Sequence, residues 1–175
     1  MQSLKVVIAG PKESGKTAFI RSVSEITVLS TRREIGTTTG MSADRMAVEM
    51  DFGRITVADD VVLYLFGTPG QDRVSFMWEM LTEGLLGFVV LVDALAPATF
   101  GDAGETIAFL RDRSDVPYVV AANRLKAGDE SSFKSLRANL DLPDDVLLLP
   151  VDARDGKSAR DVLANLADEA ARRIK

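Results

Sequence analysis

Gly10-Pro11-Lys12-Glu13-Ser14-Gly15-Lys16-Thr17 has the spacing GxxxxGK[ST]. These residue types suit one kind of chemistry, the cradling of a polyphosphate. Gly10 and Gly15 let backbone N–H groups, those of Glu13 and Ser14 among them, curl around phosphate oxygens, and a helix starting at Lys16 adds its positive end. The Lys16 ammonium would reach the β- and γ-phosphates, and the Thr17 hydroxyl would ligate Mg²⁺. The bland alternative is a glycine-bearing turn with an exposed lysine. At ~7% glycine usage, four specified positions arise by chance on the order of once in a hundred chains of this size. The segment also lies between an apolar run and a helical one, and that context decides for phosphate binding.

The rest of the inventory narrows the chemistry. The chain has no cysteine and no histidine, so thiol nucleophiles, disulfides, thiolate metal sites and imidazole bases are excluded. Positioned water, carboxylates, amides, cations and hard metal ions remain, which suits phosphoryl transfer to water. A net charge of -5 and the lack of a basic stripe argue against a nucleic-acid platform. The longest apolar stretch, Leu85 to Val92, is too short for an integral membrane segment, and the N-terminus lacks a signal-peptide pattern, so a cytoplasmic location is the expectation. Its 175 residues fit one domain, 1–175.

The elements that must position the loop are legible as alternating runs. Strands are expected at Leu4–Ala9, Met46–Asp51, Val61–Phe66, Leu86–Val92, Tyr118–Ala122 and Val146–Leu149. Most are continuously apolar, as strands buried on both faces are, whereas Met46–Asp51 mixes polar and apolar positions like an edge strand. Helices are expected at Lys16–Val23, Val74–Thr82, Thr99–Arg113, Phe133–Leu140 and Ser158–Ile174, the last with Ser158 and Asp161 as a capping pair. The fold class is α/β, three layers around a six-stranded, mostly parallel sheet, with ligands at the carboxyl ends of its strands.

A second segment, Phe66-Gly67-Thr68-Pro69-Gly70-Gln71-Asp72-Arg73, follows the third strand. It resembles the DxxGQ switch of Ras-like GTPases. By that resemblance the Gly70 amide senses the γ-phosphate and Gln71 orients the attacking water, so Gln71 and Lys16 are the candidate catalytic residues. Glycine stands at position 67, where the family carries the metal-side aspartate. With Met50-Asp51-Phe52-Gly53-Arg54-Ile55, Phe76-Met77-Trp78, Val90-Leu91-Val92-Asp93 and Val151-Asp152-Ala153-Arg154-Asp155, the pattern is similar to the bacterial conservon (CvnD-like) small GTPases and, more distantly, to the MglA group. That resemblance implies a guanine-nucleotide switch (GTP/GDP with Mg²⁺), often beside a Roadblock/LC7-type partner.

The same resemblance assigns the base site to Asn123, Lys126 and the backbone N–H of Ala153. The family's NKxD motif ends in an aspartate that accepts hydrogen bonds from guanine, but here the segment is Asn123-Arg124-Leu125-Lys126. Lysine donates and cannot accept, so it disfavours guanine unless Asp129 folds back into the role. Among Thr37-Thr38-Thr39, Thr39 is the expected switch threonine and metal ligand, although register counted back from Asp51 puts that position at Ala47. Arg32, Arg33 and Arg45 are candidates for an intrinsic catalytic arginine. Of Phe76, Met77, Trp78 and Met80, one stripe cannot bury all four, which leaves an anchor for a partner that reads nucleotide state.

The functions that compete are a slowly hydrolysing GTPase-like switch, a non-hydrolysing scaffold or pseudo-GTPase, a P-loop protein with relaxed or adenine base preference, and a small-molecule kinase. The Pro-Gly-Gln switch favours the first over the last.

Overall fold

The structure is a computed structural model that describes residues 2–36, 45–68 and 83–173, and of 31–36 and 45–49 the backbone alone. Among the described residues, seven strands form one sheet in the order β2-β3-β4-β1-β5-β6-β7. They are β1 (Gln2–Ala9), β2 (Leu29–Gly36), β3 (Arg45–Ala58), β4 (Val61–Gly67), β5 (Leu85–Asp93), β6 (Tyr118–Asn123) and β7 (Leu148–Val151). The helices are α1 (Lys16–Val23), α2 (Phe100–Arg113), α3 (Glu130–Asn139) and α4 (Gly156–Arg173). A 3₁₀ turn, Pro97–Thr99, leads into α2.

The continuous apolar runs are central because each serves both faces. Along β1, Val6 and Ile8 pack with Phe19, Ile20 and Val23 of α1 and Val162, Leu163 and Leu166 of α4. Val7 and Ala9 pack the other way, with Ala103, Ile107 and Leu110 of α2 and Leu136 of α3. Along β5 the alternation repeats, Val89 and Leu91 to the first layer and Phe88, Val90 and Val92 to the second. A period of two places successive side chains in opposite layers, so a strand buried twice shows no polar alternation.

β1 pairs in parallel with β4 on one side and β5 on the other. Chain order therefore diverges at β1, and the carboxyl end of such a strand opens onto a crevice. The loop 10–15 starts there.

Seven strands replace the expected six. The additional one, β2, reads Leu-Ser-Thr-Arg-Arg-Glu-Ile-Gly, a largely polar sequence with no apolar alternation. It lies at the sheet edge, antiparallel to β3 from Leu29↔Phe52 to Gly36↔Arg45. β3 is thus covered on both sides, contrary to its reading as an edge strand, and runs on to Ala58 instead of ending at Asp51. Its composition follows its neighbours. Ile55 belongs to the α1 layer, and a Cβ at Gly53 would come 2.6 Å from Ile20 Cγ2, so only glycine lets α1 settle on this strand. Phe52 faces away, stacked 5.7 Å from Tyr64 and tilted 5.3 Å from Phe66.

The other boundaries shift slightly. The expected helix Val74–Thr82 lies outside the described residues. At α4, Asp155 takes the capping role assigned to Ser158: its carboxylate accepts from Lys157 N at 3.0 Å, and the Ser158 hydroxyl instead accepts from Asp152 N at 3.0 Å. Among the described residues no helix is long and apolar enough to cross a membrane.

Candidate functional site: a phosphate loop and an adjoining cleft

The chain leaves β1 at Ala9 and reaches α1 through three residues with positive φ: Gly10 (139°), Glu13 (64°) and Gly15 (108°). Such backbone turns successive amides inward. Gly15 is the residue before α1 and has no side chain with which to cap it, and the helix has no acidic residue in its first turn. The first-turn amides thus lack a capping side chain, the condition in which a helix start attracts an anion. Ser14 is buried, and its hydroxyl has no hydrogen-bond partner among the described residues.

Lys16 folds back over the loop. Its Nζ donates to the carbonyls of Gly10 (2.8 Å) and Pro11 (2.6 Å). Burial pushes its pKa down to about 8, against an upward pull from the Asp51 carboxylate. A partly desolvated ammonium held over this loop by two backbone carbonyls suits polyphosphate.

Thr17 opens onto a feature that sequence reasoning missed. Its hydroxyl donates to Asp51 Oδ2 in a short contact, while Ser30 Oγ of β2 donates to Asp51 Oδ1 at 2.6 Å. Asp51 pairs with Gly67 in the antiparallel β3–β4 register. The pattern Met-Asp-Phe-Gly-Arg-Ile held the signal, since alternation puts Asp51 on the same face as Gly53 and Ile55, toward α1. Which residue lies opposite depends on a register that spacing does not reveal.

Beyond Gly15 opens a cleft of about 830 Å³, lined by Glu13, Asp93, Asn123, Lys126 and Ala153 among others. Asn123, at the end of β6, bridges it: Nδ2 donates to Ser14 O at 3.2 Å and Oδ1 accepts from Ala153 N at 3.1 Å. Asn123, Lys126 and Ala153 therefore come together beside the phosphate loop. Arg124, at φ 64°, turns back to Asp93 with a bidentate pair, its Nε 2.9 Å from Oδ1. Asp93 also accepts from Leu95 N at 2.9 Å.

Asp129 does not fold back toward the base position. Its carboxylate caps α3, accepting from Ser132 N (3.1 Å) and Ser132 Oγ (2.7 Å), and those bonds hold its pKa below the usual carboxylate value. It lines a second cleft with Leu95, Phe100 and Leu136. Gly70, Gln71, Thr39 and Phe76 to Met80 lie outside the described residues. Ala47, the alternative register for the switch threonine, pairs with Glu34 in the β2–β3 ladder, and Arg45 begins β3.

A parallel-centred sheet with this loop between β1 and α1 defines a P-loop protein of the GTPase-like fold. Residues 41–173 match the family described as "Conserved hypothetical ATP binding protein", and the chain belongs to that family. An uncharacterised protein of Methanocaldococcus jannaschii is 31% identical over 126 residues, covering 72% of this chain and 73% of that one. Among solved structures, the Arl6 (BBS3) small GTPase of Trypanosoma brucei with bound nucleotide analogue GppNp superposes with a TM-score of 0.63. At 19% identity over 98% of this chain and 99% of that one, it shares the fold.

Proposed function

We propose that this chain is a nucleoside-triphosphate-binding molecular switch that takes GTP with Mg²⁺ and hydrolyses it slowly, its nucleotide state altering partner binding. The observation that carries the reading is the loop itself, with three positive-φ turns, an uncapped α1 start and Lys16 folded over its carbonyls. Gly10, Glu13, Ser14, Gly15, Lys16 and Thr17 would hold the phosphates. Thr17 offers a hydroxyl to Mg²⁺, and Asp51 beside it offers a carboxylate. These are hard oxygen donors of the kind Mg²⁺ takes, and the ion supplies charge neutralisation at the phosphates when bound. Gly70 and Thr39 would report the γ-phosphate, and Gln71 would position the attacking water, as in the Ras-like, CvnD-like and MglA-like proteins that the sequence resembles. A Roadblock/LC7-type regulator in the cytoplasm completes the reading on the same grounds.

The test is single-turnover phosphate release with GTP and with ATP. Release is expected to fall by about 10²-fold or more in Gln71→Ala, the scale on which a water-positioning or general-base group acts. No release from either protein would favour the non-hydrolysing scaffold, and equal release from both would remove the water-positioning role from Gln71.

A specific observation favours a second reading of the base. Lys126 lines the cleft and the Asp129 carboxylate is committed to α3, so neither supplies the acceptor that guanine's two donors need. Relaxed or adenine-directed selection follows, in keeping with the family's description. Lys126→Asp is expected to raise the GTP-to-ATP affinity ratio by roughly 10–100-fold, the worth of one or two charge-assisted hydrogen bonds. An unchanged ratio in competition titrations would place base recognition elsewhere.

A further inference from the structure

We propose that Asp51 is the metal-side carboxylate of the site, delivered by β3 in place of the residue that β4 lacks. The inference rests on the nucleotide-switch reading and deepens it.

Gly67 ends β4 beside the phosphate loop, where its backbone is fixed by pairing with Ile8 of β1. A side chain there would have to displace its neighbours. A Cβ on Gly67 would lie 2.9 Å from Ile20 Cδ1 and 3.2 Å from Asp51 Cβ, and the Asp51 carboxylate oxygen Oδ2 lies 3.6 Å from the same point. The space that a residue-67 side chain would enter is thus already filled by Asp51. Two neighbouring strands exclude each other from one position, and β3 holds it.

The second observation is what Asp51 touches. Its Oδ2 accepts from the Thr17 hydroxyl, the group whose place in the GK[ST] motif gives it to Mg²⁺, and its charge reaches Lys16. Its Oδ1 is held at 2.6 Å by Ser30 of the edge strand. The carboxylate is therefore anchored on one oxygen while the other faces the Thr17 hydroxyl. A magnesium ion bound with a nucleotide keeps several waters and phosphate oxygens and needs only one or two protein donors, so this pair suffices. Ser30 is a positioning residue, fixing the carboxylate from behind as outer hydrogen bonds do at metal sites.

A purely structural role, stitching β2, β3 and α1 together, is the competing account, and Asp51→Asn separates the two. Asparagine keeps the shape and an oxygen that accepts from Thr17 or Ser30, but loses the charge that a hard cation needs. The measurement is the ratio of nucleotide affinity in excess Mg²⁺ to affinity in EDTA, by calorimetry with GTP and with ATP on the full chain. Asp51→Asn is expected to lower this ratio by about 10–100-fold, the usual consequence of disturbing a metal's protein partners, with little change in EDTA. The exchange variant Asp51→Gly/Gly67→Asp, which returns the carboxylate to β4 and clears the 3.2 Å contact, is expected to restore most of it.

A wild-type ratio in Asp51→Asn would overturn the proposal, as would a folded exchange variant that restores nothing. If the exchange variant does not fold, Asp51→Asn alone decides. A wild-type chain that binds nucleotide equally well in Mg²⁺ and EDTA overturns the metal assignment and leaves the phosphate loop standing. One that binds neither nucleotide in either buffer overturns both.

Discussion

Replacement of Lys16 by methionine is expected to abolish nucleotide binding while leaving the folded chain as stable as before, or more so. The binding half follows from the ammonium's position above the loop. Two charge-assisted contacts to phosphates at about 1.5–3 kcal/mol each amount to roughly 3–6 kcal/mol, or about 10²–10⁴-fold in affinity. Unchanged affinity by calorimetry would sink the phosphate assignment. The stability half follows from the pKa. Burial holds Lys16 at about 8, below the ordinary 10.5 of lysine, so the unfolded chain binds this proton more tightly than the folded one. At neutral pH the fold then carries a cost of up to about 3 kcal/mol for the charge, offset in part by the carbonyls of Gly10 and Pro11. The sign is the reverse of a salt-bridged lysine. Between pH 8 and 10.5 the unfolded state holds more protons, so wild-type stability gains relative to the methionine variant as pH rises through that window. Denaturant titrations of both proteins across it check the difference. A melting temperature that drops sharply in the variant would show that the lysine serves the fold.

Which parts of the site were legible in the sequence follows from how local their chemistry is. The phosphate loop was legible because its chemistry is local: glycines, lysine and threonine act within one short segment, and the strand and helix that frame them are periodic runs. The core strands were legible for the same reason, as β1, β5 and β6 are apolar on both faces. β2 was not, because a strand that pairs on one side only needs no apolar pattern, and Ser-Thr-Arg-Arg-Glu carries none. Asp51 and Ser30 were missed for a related cause. Their meeting with Thr17 depends on β3 pairing with both β2 and β4 in a particular register, a fact distributed over three separate segments. Asp129 shows the converse. Its type and proximity suited the base site, yet the start of α3 at the next residue, Glu130, satisfied it locally first. Local hydrogen bonding of an Asp near a helix start commonly decides its orientation.

Alanine at Gly10 is expected to be among the most destabilising single-methyl additions in the chain, although it adds the least possible side chain. Gly10 sits at φ 139°, a conformation that residues with a Cβ rarely adopt, and its added Cβ would press into the backbone carbonyl of Leu91 in β5. A flexible side chain could move aside, but this carbonyl belongs to a central strand paired on both sides. Backbone strain of about 1–3 kcal/mol and forced displacement of about 1–3 kcal/mol together predict a loss of roughly 2–6 kcal/mol. Gly101 provides the internal contrast. It lies in α2 with nothing within 4 Å of the point an added methyl would occupy and with no positive φ. Alanine there removes conformational freedom from the unfolded chain and should add about 0.5–1 kcal/mol. The two variants, compared in one urea titration series, thus probe the same chemical change at a backbone held at positive φ and at one that is simply helical. Equal midpoints would mean that the loop relaxes without cost, and the phosphate cradle would then owe nothing to glycine at its first position.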